Sequence, residues 1–265
     1  MKARNAFTLV EILTVGTIVG ILTAIMIPAV GRVRQSALTS QSVNNIRQLS
    51  MANLACLADT GHFVQSMSGN NRTHWYGKKK GKEYLPEGGY LIPYLQSGAV
   101  TRCPVFDQIL GDSVNEDAQF NAGAGGYGYN SLYLGSSPQL SERGVSTWWT
   151  TPNVPANVPD PSKTVMFTST AITNGEGIVE YGFSEPPFNL SGGKLAGRAT
   201  PSVHFRFNGE ALVAWADGRV SFESPSGDSK HNHWGADNEK AQIGWFGPED
   251  FNGYWNPHFQ DKRPY

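Results

Sequence analysis

Charge is scarce in this chain of 265 residues: Asp, Glu, Lys and Arg make up 16%, where a soluble domain averages about a quarter. The formal net charge is −1, so there is no basic excess to hold a polyphosphate backbone, and nucleic acid is not expected as a partner. Cysteine is nearly absent. Cys56 and Cys103 permit at most one internal disulfide, leave two free thiols as the open alternative, and lack the spacing of a structural zinc site. The chain also has no Gly-x-Ser-x-Gly elbow, no phosphate-binding loop and no His-Glu-x-x-His helix. No catalytic set, cofactor or metal is therefore expected, and the chain does not read as an enzyme. Thirty Gly and 16 Pro argue against a helical bundle and for many turns and loops.

What the chain does have is concentrated at one end. From Phe7 to Gly31 the run FTLVEILTVGTIVGILTAIMIPAVG holds one ionisable residue, Glu11, and nothing later resembles it. As a helix this run reaches about 37 Å, enough to cross a hydrocarbon core. It is longer than the apolar stretch of a cleaved secretory signal, and neither Leu22-Thr23-Ala24 nor Ile27-Pro28-Ala29 gives a clean small-x-small site. The helical pattern continues from Arg32 to Leu57 without Pro or Gly. Val43, Ile46, Ser50, Leu54 and Leu57 recur at helical spacing, and Gln41, Asn44, Asn45, Arg47 and Gln48 fill the other faces. The expected end lies near Asp59-Thr60-Gly61, and Pro28 should loosen the helix where it removes a hydrogen bond. A carboxylate in a bilayer costs on the order of 3 kcal/mol or more and is functional by default. Glu11 is read that way, with a snorkelling, solvated glutamate as the bland alternative.

The run Arg4-Asn5-Ala6-Phe7-Thr8-Leu9-Val10-Glu11 resembles the cleavage and methylation motif of type IV prepilins and type II secretion pseudopilins. The resemblance implies a basic leader (Lys2, Arg4), a scissile bond between Ala6 and Phe7, methylation of the new amine, an assembly role for Glu11, and Pro28 as a helix-loosening proline. Ala6 stands where the family usually has Gly. Weaker likenesses, to a prepilin-like subfamily with a C-terminal His-x9-Asp-Gly element, are Asn45–Leu49, Leu91–Leu95, Cys103-Pro104, Asp160–Val165 and Ala216–Val220. The histidine of that element is replaced by Phe207, the nearest histidine being His204, so no site is carried over.

The implied organisation is a leader (1–6), a transmembrane or filament-core helix (7–31), an amphipathic extension (32–60) and a β-rich globular domain (61–265). The implied fold is α+β and pilin-like, a long helix packed on an antiparallel sheet with long loops. Implied partners are copies of itself or related pilins, a prepilin peptidase, inner-membrane assembly machinery and membrane lipid. Lys2 and Arg4 would keep the N-terminus cytoplasmic and the domain extracytoplasmic, although Arg32 and Arg34 blur the charge bias. The rival reading is a single-pass membrane-anchored binding module, for instance for glycans.

Beyond Gly61 short apolar pieces are expected as strands: Tyr90–Ile92, Thr164–Ser169, Ile178–Phe183, Ser202–Phe207, Ala211–Trp215 and Arg219–Phe222, the last two joined as a hairpin at Asp217-Gly218. Trp148–Ser162, with four prolines, reads as an extended loop, and Lys78-Lys79-Lys80-Gly81-Lys82 as a solvated turn. His231-Asn232-His233 and the acids Asp228, Asp237 and Glu239 are read as an exposed loop rather than a metal site. Trp234, Trp245, Phe246, Phe251, Tyr254, Trp255 and Phe259 suit either a sugar-facing surface or, preferably, a tail pinned over the sheet.

Overall fold

The structure, a computed structural model, describes residues 8–81, 83–110, 123–142, 147–174, 177–227 and 232–264. Ala6, Phe7, Lys2 and Arg4 lie outside these residues, as do Lys82, Asp228 and His231. The chain divides into two compact units, Met1–Ser40 and Gln41–Tyr265. Helix α1 (Leu9–Thr60) runs through 52 residues without a break, Pro28 included. It ends as expected: Gly61, at φ +80, donates its N–H to the Leu57 carbonyl at 2.9 Å, a conformation that suits glycine because it has no Cβ.

Within the second unit the helix buries Ser42, Asn45, Ile46, Leu49, Ser50, Ala52, Asn53 and Cys56. The buried face is thus rotated from the expected one. Val43, Leu54 and Leu57 are only half-buried, and Asn45, expected on the outer face, points inward. The reason is chemical: Asn45 Nδ2 donates to the Arg102 carbonyl at 2.9 Å, and Asn53 Oδ1 accepts the Val64 N–H at 3.0 Å. Each amide satisfies a backbone group of the chain that covers the helix.

The rest is a set of small antiparallel sheets, not the single sheet expected. Strands β1 (Thr73–His74), β2 (Gly77–Lys80) and β3 (Glu83–Leu85) form one. The largest has the order β12-β11-β5-β4, from β4 (Tyr127–Tyr129), β5 (Val165–Ser169), β11 (Ala211–Trp215) and β12 (Val220–Glu223). Two-stranded pairs are made by β6 (Ile172–Thr173) with β7 (Ile178–Val179), β8 (Phe188–Ser191) with β9 (Lys194–Arg198), and β10 (Val203–His204) with β13 (Ile243–Gly244). The β11–β12 hairpin turns at Asp217-Gly218 as the sequence indicates, with Gly218 at φ +88. Both β5 and β11 are buried along their whole length, which is why they read as continuous apolar runs rather than alternating ones. Tyr90–Ile92 is not a strand, because Pro93 helps turn Ile92–Tyr94 into a 3₁₀ helix. Trp148–Ser162 is not extended throughout: Trp148–Thr150, Pro155–Asn157 and Pro161–Lys163 are 3₁₀ turns, two of them opened by proline.

Three of the C-terminal aromatics are core. Trp245, Phe246 and Trp255 are fully buried and pack with Val165, Val213 and Trp215. Their polar edges are tied down as well: Trp245 Nε1 donates to the Glu185 carbonyl and Trp255 Nε1 to Ser184 Oγ, both at 2.9 Å. Asn130 Nδ2 bridges the carbonyls of Val165 and Trp255, each at 2.9 Å, joining the tail to the sheet.

Close packing at β4 makes a sharp prediction. A Cβ on Gly128 would lie 2.4 Å from the Thr170 methyl carbon and 2.6 Å from the Phe183 carbonyl carbon, whereas one on Gly197 would meet nothing within 4 Å. In urea denaturation of the detergent-solubilised chain, Gly128→Ala should lose about 2–3 kcal/mol. Gly197→Ala should stay within about 0.5 kcal/mol of wild type.

Candidate functional site: the N-terminal helix

Fourteen large apolar side chains between Leu9 and Val33 are each more than half exposed (55% to 82%) and occupy every side of the helix. A helix that is apolar all round belongs inside protein or lipid, not in water. Among the described residues this one helix is long and apolar enough to cross a membrane, and it is compatible with a single-pass membrane anchor. Its few polar side chains already suit a medium without water. Thr14, Thr17 and Thr23 turn their hydroxyls back onto the carbonyls of Val10, Leu13 and Val19 at 2.9, 2.9 and 2.7 Å. Each hydroxyl proton is thereby satisfied within the helix.

Glu11 is placed by a device that the sequence reading missed. Thr8 donates to Glu11 Oε2 through both its N–H and its hydroxyl, at 2.8 Å each, while the Glu11 N–H returns a 3.3 Å bond to Thr8 Oγ1. This is a capping box, and its signal, Thr-x-x-Glu ahead of an apolar run, was present in the sequence. Oε2 is thus committed to starting the helix. Oε1 accepts no hydrogen bond from a described residue and is free to face a cation. Pro28 lies in the same apolar stretch and supplies no N–H to the Ala24 carbonyl, yet the helix passes through it.

The other candidates do not form a site. Cys56 and Cys103 are both buried and free, so the bridge left open by the sequence is not formed. Cys103 Sγ instead lies 3.4 Å from Ser42 Oγ, and Cys56 Sγ 3.7 Å from Thr60 Oγ1. No group of three or more metal-ligating side chains occurs among the described residues. Asn232 is half-buried, while His233, Asp237 and Glu239 are exposed. Phe207 is buried and packs edge-on against Phe222 at 5.7 Å. His204 is also buried, with its Nδ1 3.0 Å from Arg206 Nη1. Of the aromatic tail, Trp245, Phe246 and Trp255 are buried, Phe251, Tyr254 and Phe259 are half-buried, and Trp234 is exposed. Lys78, Lys79 and Lys80 are exposed, on strand β2 rather than in a turn. No family model, curated protein or solved structure matches the chain.

Buried titratable groups give the globular unit a defined pH response. Burial holds His74 at about 4, and burial together with Arg206 keeps His204 well below its ordinary value. Burial raises Glu180 and Glu185. An unfolded His74 takes a proton near 6.5, whereas the folded one resists until about 4. Its contribution is therefore complete above 6.5 and is lost as pH falls through that window. The raised carboxyls act in the opposite sense, favouring the folded state as pH falls. Melting temperatures between pH 7 and pH 4 should fall more steeply for wild type than for His74→Asn, even though the variant is less stable at neutral pH.

Proposed function

We propose that the chain is a prepilin-like structural subunit. It is inserted as a single-pass precursor in the cytoplasmic membrane, cut between Ala6 and Phe7 by a prepilin peptidase, and assembled through its N-terminal helix into a pilus or pseudopilus-type filament. Its neighbours there are copies of itself or related pilins, delivered by inner-membrane machinery, and the domain beyond Ser40 lies outside the cytoplasm. The single observation that carries this reading is an all-round apolar helix bearing one carboxylate, whose Oε2 is committed to the helix start and whose Oε1 accepts no hydrogen bond from a described residue. An anchor needs apolar length alone. The carboxylate is superfluous to anchoring, and in an apolar medium it calls for a cation. The amine at Phe7 of an adjacent subunit, freed by cleavage, is a cation at the right depth.

The capping box dictates which variants separate the two roles of Glu11. Glu11→Gln keeps a box acceptor at the third helical position but cannot pair with an ammonium. Thr8→Ala removes the cap, at about 1 kcal/mol, and keeps the charge. Breaking one side of a desolvated ion pair costs about 3–5 kcal/mol, and a filament repeats that loss at every subunit. Glu11→Gln should therefore reach wild-type levels in the membrane yet yield at least ten-fold fewer sheared filaments, while Thr8→Ala still assembles. Normal assembly of Glu11→Gln would make Glu11 a snorkelling residue and favour the membrane-anchored binding module.

A further inference from the structure

We propose that Tyr76 is a redox-active tyrosine whose one-electron oxidation is coupled to proton transfer onto His74, on an aromatic path from buried Trp75 to half-exposed Tyr84. The geometry supplies three parts. The first is a base. The Tyr76 hydroxyl lies 2.7 Å from His74 Nδ1, and His74 Nε2 lies 2.8 Å from Asn71 Oδ1. The amide oxygen places the ring proton on Nε2, so Nδ1 carries the lone pair that receives the Tyr76 O–H. Burial keeps the imidazole neutral and able to accept.

The second part is contrast with the other buried phenols. Tyr127, Tyr129 and Tyr133 donate to the carbonyls of Ser42, Val64 and Pro264, and the Trp75 indole donates to the Gly182 carbonyl at 2.7 Å. A carbonyl is too weak a base even for the strongly acidic phenol radical cation, which still protonates an imidazole that burial has lowered to about 4. Tyr181 does have a carboxylate acceptor, Glu185, at 2.6 Å, but the ring beside it is Phe183, which is hard to oxidise.

The third part is the path. The Tyr76 ring is 5.2 Å from Trp75 and 5.3 Å from Tyr84. In the primary step a one-electron oxidant, of the class of metal(III) complexes or oxygen-centred radicals, takes one electron, either from Tyr76 directly or by way of Trp75. The Tyr76 O–H bond breaks, the proton moves to His74 Nδ1, and the products are a neutral phenoxyl radical, an imidazolium and the reduced oxidant. An electron from the half-exposed Tyr84 ring then reduces Tyr76, which takes its proton back from His74, while the Tyr84 hydroxyl gives its own proton to water and the radical rests on that ring. The path would carry oxidising equivalents away from the Trp75–Phe167 core, whose rings lie 5.3 Å apart.

The test uses the detergent-solubilised full chain, photogenerated ruthenium(III) tris-bipyridine as oxidant, and transient absorption with freeze-quench electron paramagnetic resonance. Wild type should form a neutral tyrosyl radical at a rate independent of buffer-base concentration, because the base is internal. Tyr76→Phe should lower the yield at least five-fold, and Tyr181→Phe should not. His74→Gln, which keeps an acceptor but no base, should slow oxidation at least ten-fold. A wild-type rate proportional to buffer base would overturn the proposal without recourse to any variant. An undiminished radical in Tyr76→Phe would do so as well.

Discussion

Backbone N–H and C=O groups inside a helix bond to one another, so a single helical segment can serve in an apolar medium and in a protein core without exposing an unpaired backbone group. Helix α1 depends on that property throughout its 52 residues. Its first part exposes apolar side chains on every side, and its last two decades of residues bury Ile46, Leu49 and Cys56 together with amides that bind backbone. Between Leu9 and Ile27 the polar side chains are bonded locally, by threonine back-bonding and by the Thr8–Glu11 box, except for Glu11 Oε1, which accepts no hydrogen bond from a described residue. The proposed assembly function rests on that exception.

The globular unit solves a different problem. With strands of two to five residues, its sheets are too small to supply many backbone bonds, and side chains take over. Asn130 ties the tail to β5, and Asn252 reaches both the N–H and the carbonyl of Phe188 at 2.7 and 2.9 Å. Two buried charges clasp the glycine-rich chain entering β4: Glu180 accepts the N–H groups of Gly123 and Gly125, while Arg206 donates to the Gly126 carbonyl. Charge is rare in this chain, and part of it is spent on holding loops from within.

The apolar length of α1, its end at Gly61 and the β11–β12 hairpin were legible because each depends on a few neighbouring residues: a hydropathy run, a glycine and an Asp-Gly turn. The rotated inner face of α1 was not legible, since Asn45 and Asn53 look polar until the carbonyl and N–H they serve are brought beside them. The first two strands were hidden for a related reason: Thr73–Lys80 offers two residues of apolar signal before a run of lysines. The aromatic tail was ambiguous in sequence; Trp245 and Trp255 join the core, where their indole N–H groups find acceptors. At the candidate site, Glu11 and Pro28 were visible, the capping role of Thr8 was overlooked, and Ala6 and Phe7 lie outside the described residues.

The central claim is that α1 is freed at Phe7 and then leaves the membrane to become the core of a filament. Intact-mass measurement of the protein from sheared extracellular filaments and from membranes tests this directly. The account predicts a filament form that begins at Phe7 and carries one methyl group on its amine. Protein found only in membranes with Met1 retained, or cut after Ala24 and released as a soluble domain, would contradict it.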